Sequence, residues 1–281
     1  MKRILLPTDF SKNSINAIDY AMEMFKDEPC HFYVLNVQKA SSFISADLMV
    51  VNSSATIYTT IVDAAKKSIN NITARIKKQY HNDKHEFESI VDYDNFIDAI
   101  NEVTTKYHID LIVMGTKGAS GFAKVFFGSN TVKVIQRCHV PVLAIPENCV
   151  FSNLDKIGFT TSFDSLYKTK DLLPLTQLLN KYNSKLYILH AVGENNFAEE
   201  MNRNIDFFKS NFKDSTFQYL HVADKDVYKT IYQYSTKNDI KMIALCVCKH
   251  SFFERLFNRH TFEDIAFSIN IPFLVMKNTM V

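Results

Sequence analysis

The chain contains six glycines, and four of them, Gly115, Gly118, Gly121 and Gly128, fall within fourteen consecutive residues. Glycine loses more conformational entropy on folding than any other residue, so it is used where the backbone needs a positive φ or must come close to a ligand. The run starts directly after the apolar stretch from Leu111 to Met114 and ends at Ser129, where a helical pattern begins. Free backbone N–H groups at a helix start, with the helix dipole behind them, form an anion site. The chemistry suggested is phosphate binding, with the Ser129 hydroxyl as a further donor. The loop is not Gly-x-Gly-x-x-Gly after a first strand, and no Gly-Lys-Ser/Thr occurs, so the dinucleotide fingerprint and the P-loop are excluded. A second polar cluster, Pro7, Thr8, Asp9, Phe10 and Ser11, follows the first apolar run. In doubly wound sheets ligands bind at the carboxyl ends of strands flanking the point where strand order reverses. If the first and fourth strands are neighbours, Asp9 and Gly115 face one crevice.

Cys246, Cys248 and His250 are zinc-ligand types, but they lack a second ligand pair at zinc-ribbon spacing. Small apolar cysteines at a strand end account for them, and no metal is expected. Nor does the chain carry a nucleophile elbow, a His-Glu-x-x-His or a kinase motif set, so no residue is assigned as catalytic. Phe126 and Phe127 read as packed beneath the glycine loop, and His190 as structural.

Short apolar runs alternate with helical patterns. Ile4 to Leu6, Phe32 to Val37, Phe87 to Val91, Leu111 to Met114 and Val140 to Ile145 read as strands. Between them Ser14 to Phe25, about Thr60 to Gln79, Asn95 to Tyr107 and Ser129 to Arg137 read as helices. In the second helix Ile61, Ala65, Ile69, Ile72 and Ile76 form one apolar stripe. Asn13 or Ser11 is expected to cap the first helix, and the residues around Ser41 to Tyr58 read as a long, serine-rich loop. This alternation argues for an α/β fold, a parallel sheet covered by helices on both faces.

The pattern is written twice. Ile109 to Ile145 aligns without a gap to Ile240 to Met276 at a constant shift of 131 positions, which sets Pro141 on Pro272. Upstream, Lys2 to Ser11 is echoed by Lys156 to Phe163, and Phe32 to Val37 by Leu186 to Ala191. The expected domains are 1–147 and 150–281, joined near Pro146 to Leu154. In the second copy Ser162 matches Asp9, and Cys246, Lys249, Arg259 and His260 match Gly115, Gly118, Gly128 and Ser129. If that loop needed left-handed geometry there, non-glycine residues would cost roughly 1 to 2 kcal/mol each. The second copy is therefore expected to have lost the phosphate cradle and to serve as a structural partner.

The run from Pro7 to Ser11, the strand end at Val34 to Val37, and Gly115-x2-Gly118-x9-Gly128-Ser129 followed by an apolar helix and VPVLAIP resemble the ATP-binding type of universal stress protein. The resemblance covers the first half throughout and the second half more faintly. It implies two tandem doubly wound domains, each a five-stranded parallel sheet of order 3-2-1-4-5. It implies ATP as ligand, with or without Mg, in a stress-response or signalling module. Asp9 and the backbone of Val37 would hold the adenine end, and Gly115, Gly118, Gly128 and Ser129 the phosphates. Pro7, Thr8 and Met114 belong to the same site, and Asn130 and Thr131 continue the helix start as further donors. Lys117 either meets a phosphate or is solvated. Asp92 and Tyr93 stand where the family often has a glycine after the third strand. The alternatives are a slow ATPase or autokinase passing phosphate to a hydroxyl such as Ser120 or Ser129, and a nucleotide-free interaction protein. Intrachain pairing through the fifth strands is implied, with a homodimer as a further possibility.

Composition agrees with two globular domains, since 281 residues are long for one core and 47% of them are apolar. Lysine plus arginine number 32 against 30 aspartate plus glutamate, which gives no basic field for nucleic acid or membrane surfaces. No run approaches the length of a membrane span, the first residues hold too short an apolar run for a signal peptide, and the five cysteines are scattered. A cytoplasmic protein is expected.

Overall fold

The computed structural model describes residues 1–38, 54–93, 95–116, 128–161, 166–192, 198–221, 227–247 and 271–277. The chain divides into two compact units, with the boundary after Phe151. The first unit runs β1 (Lys2–Pro7), α1 (Lys12–Met24), β2 (Cys30–Val37), α2 (Ser54–Tyr80), β3 (His85–Asp92), α3 (Phe96–Lys106), β4 (Leu111–Gly115), α4 (Ser129–Arg137) and β5 (Val142–Ile145). Its strands are parallel and ordered β3-β2-β1-β4-β5. The second unit runs β6 (Lys156–Thr161), α5 (Leu173–Tyr182), β7 (Lys185–Val192), α6 (Ala198–Asn211), β8 (Thr216–His221), α7 (Val227–Lys237), β9 (Met242–Val247) and β10 (Phe273–Lys277). Its strands are again parallel, ordered β8-β7-β6-β9-β10. Both orders read third-second-first-fourth-fifth.

The two sheets agree in register as well as in order. Ile4 pairs with Leu111 and Ile157 with Met242, while Gly115 pairs with Ile145 and Cys246 with Met276. The shift of 131 positions read from the sequence therefore holds residue by residue across the fourth and fifth strands.

Sequence explains these elements locally. Ile4, Leu5 and Leu6 are fully buried, as strands covered on both faces require. Ala65, Ile69 and Ile76 of the expected α2 stripe are buried, and α2 packs on β2 and β3. Ala17, Ile18, Ala21 and Met22 bury the inner face of α1 against β4 and β5.

Several boundaries differ from expectation. Ser11, not Asn13, caps α1: its side chain accepts from the Ser14 N–H at 3.3 Å, and the helix begins at Lys12. Part of the expected serine-rich loop is helix, because α2 begins at Ser54; residues 39–53 lie outside the described residues. β5 begins at Val142, after Pro141, whose ring cannot donate to the ladder. At the junction, Asn148 takes φ 64°, and the turn closes with the Cys149 N–H donating to the Pro146 carbonyl at 3.2 Å. Burial pushes the Cys149 thiol up to about 11, so it sits there as a small apolar group.

Candidate functional site

β1 and β4 are neighbours, so Thr8 and Asp9 follow the carboxyl end of one strand and Gly115 closes the end of the next. The crevice condition set by the sequence is met. On the β1 side the chain turns sharply into α1. Phe10 adopts φ 63°, and its N–H donates to the Thr8 hydroxyl at 3.0 Å. The Thr8 hydroxyl also pairs with that of Ser14 at 2.9 Å. The exposed Asp9 carboxylate accepts from both the N–H (3.1 Å) and the hydroxyl (2.5 Å) of Ser11. Asp9 is thus fixed at the head of α1 through the residue that caps it.

β2 contributes from the other side of β1. The Asn36 amide donates to the Thr8 carbonyl at 2.7 Å, while the Gln38 amide donates to Asn36 Oδ1 at 2.5 Å. Asn36 is 3% exposed, a polar residue following the buried apolar Val34 and Leu35, held there by the bonds it makes. Val37, half-buried, pairs with Asp92 at the end of β3. The Asp92 carboxylate accepts from the Tyr93 N–H at the end of the strand.

On the β4 side, Gly115 is glycine for a reason the sequence did not show. Its φ lies outside the left-handed region, but a Cβ there would stand 2.5 Å from Asn13 Nδ2, 2.8 Å from Asn13 Cγ and 3.0 Å from the Asn13 carbonyl oxygen. Close approach of α1, not a positive φ, excludes a side chain. Gly128 is the N-cap of α4 at φ −60° and ψ 153°, a conformation open to any residue, so the positive-φ account fails there too. The Gly128 N–H donates to the Thr116 carbonyl, and the Thr131 hydroxyl donates to the Gly115 carbonyl at 3.0 Å. Thr131 therefore turns its hydroxyl inward, 2% exposed, and only its N–H remains to serve a ligand. The first intrahelical bond of α4 is from Val132 N to Gly128 O at 3.1 Å, which leaves the N–H groups of Ser129, Asn130 and Thr131 at the helix start.

The structure thus gathers Thr8, Asp9, Gly115, Gly128, Ser129, Asn130 and Thr131 at the carboxyl ends of adjacent strands and the start of α4. Pro7 ends β1 and Met114, 5% exposed, lies in β4. Lys117, Gly118, Ser120, Gly121, Phe126 and Phe127 lie outside the described residues. Sequence reasoning missed Asn13, Asn36 and Thr116. Asn36 was within reach, because the alignment of Phe32–Val37 with Leu186–Ala191 sets it against His190.

In the second unit the corresponding places are built differently. Thr161 takes the position of Thr8, yet its hydroxyl pairs with the Tyr167 phenol at 2.7 Å. Helix α5 begins at Leu173, whereas α1 begins at Lys12, so eleven residues lie between Thr161 and its helix and three between Thr8 and its own. Cys246, 6% exposed, occupies the position of Gly115. Ser162, Cys248, Lys249, His250, Arg259 and His260 lie outside the described residues. Among the described residues no three histidine, cysteine or carboxylate side chains are grouped to hold a metal, and no helix is long and apolar enough to cross a membrane.

Comparison with known proteins bears on the family and the fold. The universal stress protein family model matches residues 1–146. The universal stress protein MJ0531 of Methanocaldococcus jannaschii is 28% identical over 144 residues, which cover 51% of this chain and 81% of that protein. Among solved structures, a universal stress protein from Archaeoglobus fulgidus superposes with a TM-score of 0.63 at 18% identity, covering 98% of this chain and 96% of its own. A functionally unknown protein from Pseudomonas aeruginosa PAO1 superposes at 0.57 and 11% identity, covering 99% and 93%. At those identities the likeness is one of fold, and it extends over both units. By the match to its first 146 residues, the chain belongs to the universal stress protein family.

Proposed function

We propose that the protein binds ATP in its first unit and acts as a stress-response or signalling module, the second unit holding no nucleotide. The observation that carries this reading is the convergence of the Asp9 turn and the α4 start on the ends of two adjacent parallel strands. The donor set suits an anion: three helix-start N–H groups, the Ser129 hydroxyl and the positive end of the α4 dipole. Those groups would take the phosphates, while Asp9 and the backbone at Val37 would face the adenosine end. Mg would arrive on the phosphates and keep most of its ligands as water.

In the second unit the replacement of Gly115 by Cys246 and the late start of α5 remove both walls of that arrangement, which supports a single site per chain. Domains 1–147 and 150–281, pairing of the halves through the apolar fifth strands, a homodimer and a cytoplasmic setting belong to the same proposal. The test is acid release of whatever the purified chain carries, followed by identification of the nucleotide. Adenine nucleotide from the wild type and none from Gly115→Arg is expected. A nucleotide-free wild type whose melting temperature does not move with saturating ATP would leave an interaction protein without a ligand.

A further inference from the structure

Two residues at the site are poor choices by local rules. Asn13 sits in the first turn of α1, where Ser11 already serves as the cap, and it is 6% exposed beside the apolar Ala17 and Ile18. Asparagine inside a helix is unfavourable because its amide competes for backbone hydrogen bonds. Gly115 ends β4 with an ordinary backbone, where glycine weakens a strand and any larger residue would fit the φ. Each choice explains the other, because the Asn13 side chain fills the space that a Gly115 Cβ would take.

The contact has consequences on both sides. Asn13 shares its turn with Ser11, which holds the Asp9 carboxylate. Gly115 passes its carbonyl to the Thr131 hydroxyl in α4, and the next residue, Thr116, takes the Gly128 N–H. One chain of contacts therefore runs from Asp9 through Asn13 and Gly115 to the helix-start N–H groups. The second unit loses both members together: Cys246 replaces Gly115, and Leu166, as far beyond Thr161 as Asn13 is beyond Thr8, lies in no helix.

We propose that Asn13 is a positioning residue of the nucleotide site, setting the separation between the Asp9 turn and the α4 donors through its contact with Gly115. The proposal rests on the nucleotide reading above. Its test is a double-mutant cycle on the full chain, with ATP affinity measured by calorimetry and thermal melts taken without ATP. Asn13→Ala should weaken ATP binding at least threefold and Gly115→Ala at least tenfold. The double variant should lose less than the product, since the first change removes the side-chain atoms with which the second collides. Losses that multiply would overturn the proposal, as would an Asn13→Ala protein with a lowered melting temperature and unchanged affinity. Should Gly115→Ala fail to fold, Asn13→Ser decides alone: a threefold or greater loss in a native fold supports positioning, and unchanged affinity removes it. A wild type that binds no ATP overturns the nucleotide reading and this proposal with it, an outcome separated from the others by the first titration.

Discussion

Asn36 and His190 hold the same backbone carbonyl in the two halves of the chain. Asn36 Nδ2 donates to Thr8 O at 2.7 Å, and His190 Nδ1 donates to Thr161 O at 3.0 Å. Both nitrogens are bonded to Cγ, so an amide and an imidazole present a donor at the same reach. Thr161 is 1% exposed, and its carbonyl would be costly to strand. His190→Asn is therefore expected to keep the stability of the wild type, while His190→Leu should lose about 1 to 3 kcal/mol. Urea midpoints check this, and equal midpoints for wild type and His190→Leu would show that the bond contributes nothing.

His85 makes stability depend on pH. Its Nε2 lies 3.1 Å from the Phe25 carbonyl, to which it donates, and its ring meets Phe32 edge-on at 4.9 Å. Its Nδ1 is buried with no partner among the described residues. Burial holds the pKa below the ordinary histidine value, against the raising effect of the Phe25 bond and with help from Lys84. The unfolded chain then binds the proton more readily than the folded one, so stability is full above the unfolded value of about 6.5 and falls as pH drops below it. His85→Gln, which can still donate to Phe25, should flatten that slope. Urea midpoints between pH 7.5 and 5 that decline equally in both proteins would remove His85 as the cause.

Gly128 and Gly115 should behave differently when replaced. Gly128 caps α4 at φ −60° with no side-chain bond, and serine is a better cap than glycine by a few tenths of a kcal/mol. Gly128→Ser is expected to melt no lower than the wild type yet to bind ATP more weakly, because the serine side chain then stands where phosphate approaches. A lowered melting temperature would mean that the backbone itself requires glycine at that position.

Much of this fold was legible because strands and helices keep their periods. Helix α4 was read at its observed bounds, and the second-half register followed from a shift without gaps. The crevice was legible in outline, since Asp9 and Gly115 each follow an apolar run and the order of strands brings them together. What escaped notice depends on contacts between segments distant in the chain. Nothing in a window around Gly115 reveals that Asn13 occupies its space, and nothing around Thr131 shows its hydroxyl turned back onto the Gly115 carbonyl, sixteen positions earlier in the chain. The common role of Asn36 and His190 was masked by their different residue types, although their alignment was on view.

The central claim is one nucleotide site per chain, in the first unit. Isothermal titration of the full-length protein with ATP tests it most directly, with a melting scan at a hundred times the dissociation constant, where one site adds about 2.7 kcal/mol. The account predicts a stoichiometry of one per chain, abolished by Gly115→Arg. Two sites per chain, or one that survives Gly115→Arg, would contradict it.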